Sequence, residues 1–155
     1  MATACILLDQ ANSKAGFEAF VRNIKPEVCH KQTHYIFDGE KEVNEFIAQT
    51  KKDIASPEFL EAFTKLIEPK ISIEHVAELR LRWSTLDKEF NYSIYPSAGL
   101  VKPHVPVFQF YGPIWIGQLL ETPILNIING RTGRATCEPI STRPYDLNPT
   151  DEYQL

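Results

Sequence analysis

Arg22 closes the run Phe17-Glu18-Ala19-Phe20-Val21, and a guanidinium at the end of a strand can meet a phosphate with two parallel N–H···O bonds. No second phosphate donor stands beside it in sequence, so the plainer expectation is that Arg22 faces solvent or pairs with Glu18 or Asp38. Arg80, Arg82 and Lys88 are a further basic group; because the arginines alternate with Leu79, Leu81 and Trp83, they read as the solvated face of a strand. Glu121 lies inside an apolar run, where a raised carboxyl could act as a general acid. The expectation here is a local partner near Pro123, where freed backbone groups need hydrogen bonds. Cys29-His30 with His34 lacks a fourth ligand at a zinc spacing, so no metal is expected. His30, His34, His75 and His104 have no serine or cysteine companion in a nucleophile pattern. No catalytic residue and no cofactor are assigned.

The elements that position these residues follow from local pattern. Residues 3–14 read as a short helix followed by a polar turn at Asn12–Gly16, and Phe17–Ile24 has the aromatic and β-branched content of a strand. His34–Phe37 reads as a second short extended piece, closed by Asp38-Gly39. Val43, Phe46 and Ile47 predict a helix from Lys41 to about Lys52. Ser56 is a good N-cap with Pro57 at the first helical position, and Phe59, Leu60, Phe63, Leu66 and Ile67 form the apolar stripe that follows. Alternation after Pro69 predicts two antiparallel strands, Leu79–Trp83 and Phe90–Ile94. Tyr95–Gly99 is a turn, and Val107–Tyr111 is a last strand with Pro103 and Pro106 at its start or on an edge. Ile114–Asn129 reads as a helix interrupted at Pro123 that buries Leu119, Leu120, Ile124 and Leu125. From Gly130 the three prolines and the lack of an apolar period predict an extended arm.

Composition bounds the class. A chain of 155 residues is one domain, able to bury roughly 70% of the surface its unfolded form exposes. The 43% hydrophobic and 23% charged content is that of a globular protein. A net charge of −4 argues against a broad nucleic-acid surface. No run approaches the roughly 18 apolar residues of a membrane span. The first apolar run has no basic residue before it, so no signal peptide is expected. Cys5, Cys29 and Cys137 are odd in number and widely spaced, which fits free thiols in a reducing intracellular compartment.

The stretch Phe108–Asn129, FQFYGPIWIGQLLETPILNIIN, resembles the end of the N-terminal domain of the nicotinate phosphoribosyltransferase family. Gln118–Asn126, QLLETPILN, is the most specific part of that likeness. Phe17–Arg22 is similar to the family's first strand, Asp38-Gly39 with the helix from Lys41 to a following segment, and Ser56–Leu60 to a second helix start. The likeness covers most of residues 15–136 and is weak between 70 and 95. It implies an α+β fold, an antiparallel sheet of about four strands packed with helices, with a domain over 1–129 and an arm over 130–155. It also implies that Arg22 is the residue to match one that approaches phosphate.

The family's tyrosine segment, catalytic histidine and barrel find no counterpart here. The expectation is therefore a non-catalytic structural or assembly module derived from such a domain, such as a phage head or tail accessory protein working as a homo-oligomer or in a larger assembly. The alternative is the N-terminal subunit of a split nicotinate phosphoribosyltransferase in NAD salvage, completed in trans by a barrel chain; a decoy inserted into a host enzyme dimer is a third. Candidate interface residues are Phe108, Phe110, Tyr111 and Trp115, with Ile140, Tyr145, Leu147, Tyr153 and Leu155 on the arm.

Overall fold

Residues 13–24, 33–70, 72–83 and 85–137 are described by the structure, a computed structural model. Among these residues two small antiparallel sheets and four α-helices make an α+β fold. Strand β1 (Lys14–Phe20) pairs with β5 (Pro106–Pro113), and β3 (Asn91–Ile94) pairs with the other side of β5, giving the order β1-β5-β3. Strands β2 (Tyr35–Ile36) and β4 (Leu100–Val101) form a separate pair. The expected α+β fold, an antiparallel sheet packed with helices, is present; its strands are divided between a three-stranded sheet and a two-stranded one. Strand β1 also begins earlier than expected, taking in Lys14–Gly16, while the helix expected over residues 3–14 otherwise lies outside the described residues.

Strand alternation decides which side chains are core. Phe17, Phe110 and Tyr92 share one row across the sheet and Ala19, Phe108 and Ile94 the next. This inner face meets α4 (Ile114–Cys137), whose Trp115, Ile116, Leu120, Ile124 and Ile128 are buried. Phe108, Phe110 and Trp115 are therefore core and not interface, because their strand and helix faces turn inward; Tyr111, on the opposite sheet face, stays 57% exposed. Ile140, Tyr145, Leu147, Tyr153 and Leu155 lie outside the described residues. Pro106 opens the central strand rather than an edge, at the point where the ladder with β1 slips between Ala19 and Phe20, so its missing N–H interrupts no regular pairing.

Helices α1 (Glu40–Ala55) and α2 (Pro57–Ile67) follow their sequence signals. Gly39, at φ 119°, makes the left-handed step into α1, and Ser56 Oγ accepts from Phe59 N at 3.1 Å as the N-cap of α2. On the surface of α2, a 2.8 Å bond from Lys65 to Glu61 lowers the Glu61 carboxyl's pKa and raises that of Lys65. Helix α3 (Ile73–Trp83) corrects the expected strand at Leu79–Trp83. Val76, Leu79 and Trp83 recur at helical spacing and are buried, whereas Leu81, which completed the apparent alternation, is 79% exposed. The Trp83 ring stacks on Phe59 and on Trp115, and its Nε1 donates to the Ile54 carbonyl.

Two expectations for the last helix also change. It runs without a break through Pro123 to Cys137, past the boundary expected at 130. Pro123 removes the donor to the Leu119 carbonyl, but Leu119 is 37% exposed rather than buried, so that carbonyl lies on the side open to water. Beyond Gly130 the inward face continues in threonine. Thr132 Oγ1 accepts from Asp38 N and donates to Asp38 O, both at 3.1 Å, and Thr136 Oγ1 accepts from Ile36 N at 3.0 Å. Cys137 is buried. No helix among the described residues is long and apolar enough to cross a membrane.

Candidate functional site

Where β1 ends, the chain runs on as Val21–Ile24 without strand pairing and passes alongside α4. Between them lies an open cleft of about 540 Å³, a size suited to a small ligand. One wall is Val21, Arg22, Asn23 and Ile24. The other is Glu121, Thr122, Leu125, Asn126 and Asn129. Two stretches distant in sequence, the one ending in Arg22 and the outer face of the helix from Glu121 to Asn129, therefore face one space.

The unpaired wall is held by side chains in place of a ladder. Arg22 N donates to Asn129 Oδ1 at 2.9 Å, while Asn129 Nδ2 donates to the Leu125 carbonyl at 2.9 Å. Ile24 N donates to the Tyr35 hydroxyl at 3.0 Å, and His104 N donates to the Val21 carbonyl at 3.0 Å. These bonds satisfy backbone groups that no neighbouring strand reaches.

The Arg22 residue is exposed, and its expected carboxylate partners are engaged elsewhere. Glu18 accepts from Gln109 Nε2 at 2.8 Å, and Asp38 lies 3.2 Å from Arg131 Nε. Glu121 is exposed and makes no hydrogen bond or ion pair among the described residues, so it is not the local partner expected at Pro123. The residues lining the cleft thus include one arginine, one glutamate, Thr122 and three asparagines, of which Asn129 already holds Arg22 N and the Leu125 carbonyl. That set suits recognition of an anionic, hydrogen-bonding group by Arg22 and the amides.

Other sequence candidates lie apart. Arg80 is on α3, not on a strand face. His34 bonds Thr33 Oγ1 through Nδ1 at 3.1 Å, and Cys29 and His30 are outside the described residues. Among the described residues no three His, Cys, Asp or Glu side chains group to hold a metal ion. Sequence reading gives no site role to Asn23, Tyr35 or Asn129, and considers His104 only as a member of a nucleophile pattern. Asn129 ended the family-like stretch and His104 sat between prolines, but nothing local linked either to Arg22.

No family model matches the chain, and no curated protein matches it. Among solved structures, the crystal structure of human nicotinic acid phosphoribosyltransferase superposes with a TM-score of 0.64 at 22% identity, over 88% of this chain. The likeness is one of fold. It takes in 25% of the human chain, so this chain spans about a quarter of the protein it matches.

Proposed function

We propose that this chain is an assembly module of nicotinate phosphoribosyltransferase type, one that does no chemistry alone and presents a half-site for an anionic ligand group to a partner. The observation that carries the reading is the meeting of Arg22 with the Glu121–Asn129 face in one cleft. A single guanidinium supports recognition; phosphoribosyl transfer needs metal, phosphate clamps and positioning groups together. The likeness to a nicotinic acid phosphoribosyltransferase supports pyrophosphate or a ribose phosphate as the ligand class. Calorimetric titration with inorganic pyrophosphate should show binding that Arg22→Ala weakens about tenfold or more, the loss expected for a charge-assisted bond. Equal binding by the variant overturns the half-site. Pyrophosphate release from phosphoribosyl pyrophosphate and nicotinate by the 155-residue chain alone overturns its non-catalytic character.

A second reading, assembly of many copies as in a virion, draws on a separate observation. Leu66, Ile73 and Leu81 are 61%, 84% and 79% exposed on α2 and α3, apolar surface of the kind a protein neighbour covers. Sedimentation should then show an oligomer that Ile73→Glu with Leu81→Glu dissociates, and a wild-type monomer at every concentration sinks it.

A further inference from the structure

His104 adopts φ 62°, a left-handed conformation that a Cβ disfavours. From there it makes three contacts with the chain leaving β1. Its N–H donates to the Val21 carbonyl at 3.0 Å, its Nε2 lies 3.3 Å from Asn23 Nδ2, and its ring packs on Phe20 with centroids 5.2 Å apart. An amide nitrogen only donates, so in this contact Nε2 is the acceptor. The segment needs this hold because β1 loses its regular register at Phe20, and Val21–Ile24 pair with no strand among the described residues. Uncommon backbone conformations persist where the surroundings over-determine them, and they gather at ligand-holding segments.

We propose that His104 is a positioning residue for Arg22. Its backbone and ring fix residues 20–23 from one side, and Asn129 takes the Arg22 N–H from the other at 2.9 Å. The backbone that carries Arg22 is thereby anchored at the cleft before an anion arrives, so less ordering remains to be done on binding. This role rests on the cleft's being an anion half-site.

Two variants separate the role from general stability. His104→Gly takes a positive φ freely and loses the ring; His104→Asn tolerates the same backbone and offers an amide to Asn23. Both are to be compared with wild type and Arg22→Ala by amide hydrogen exchange at Arg22 and Asn23, and by titration with inorganic pyrophosphate. His104→Gly should speed exchange and weaken pyrophosphate about tenfold, with His104→Asn returning both to within about threefold of wild type. Unchanged exchange in His104→Gly overturns the proposal. Faster exchange with unchanged pyrophosphate affinity overturns it too, because the hold would then not matter to the site. Failure of the half-site has its own signature: wild type does not bind pyrophosphate, or Arg22→Ala binds as well, while His104→Gly still speeds exchange. That result removes the positioning role along with the site.

Discussion

Gly117 and Gly130 belong to the same helix and stand under opposite constraints. A Cβ at Gly117 would come within 2.1 Å of Phe17 Cε2, and the Phe17 ring is itself packed against Phe110 with centroids 6.3 Å apart. The helix can approach β1 this closely only without a side chain there. Gly117→Ala should therefore destabilise the fold by about 1–3 kcal/mol, the cost of overpacking a filled core. At Gly130 and Gly133 a Cβ would meet nothing within 4 Å. There the glycine only loosens the helix, so Ala at either position should stabilise by about 0.5–1 kcal/mol. Urea denaturation of the three single variants checks this, and a gain at 117 or a loss at 130 and 133 contradicts the packing described.

At the scale of the element, the last two turns of α4 do the work that an apolar stripe does elsewhere. Thr132 and Thr136 satisfy the backbone of Ile36 and Asp38. Arg131 Nη2 lies 2.7 Å from Glu42 Oε1, and its Nε is 3.2 Å from Asp38 in an ion contact rather than an aligned hydrogen bond. A chain ending after Asn129 strands these groups, each at about 1–3 kcal/mol, against a total stability of about 5–15 kcal/mol for a small domain. It should lose its cooperative melt by circular dichroism, while a chain ending after Cys137 should keep it. Equal melting of the two would remove the helix end from the domain. This is also where the sequence was least legible. Helix α2 could be read because Ser56, Pro57 and the stripe from Phe59 are local signals. The extension to Cys137 could not, since the partners of Thr132 and Thr136 lie 94 and 100 residues away. Helix α3 was misread because the exposed Leu81 stood in line with the buried Leu79 and Trp83.

Across the whole molecule, the cleft and the aromatic corner occupy different places. Arg22 and the helix run from Glu121 were each visible in sequence, and the fold brings them together; the tethers between them needed the tertiary structure. The corner has a practical bearing. Both of the chain's tryptophans, Trp83 and Trp115, are stacked with ring centroids 5.9 Å apart and planes inclined at 23°, and neither lines the cleft. Intrinsic emission therefore comes from one pair of closely coupled indoles and monitors the docking of α3 on α4. A ligand filling the cleft leaves that signal nearly flat, so a silent fluorescence titration says nothing against binding, and a reporter fluorophore has to be placed on the far wall, beside Asn126.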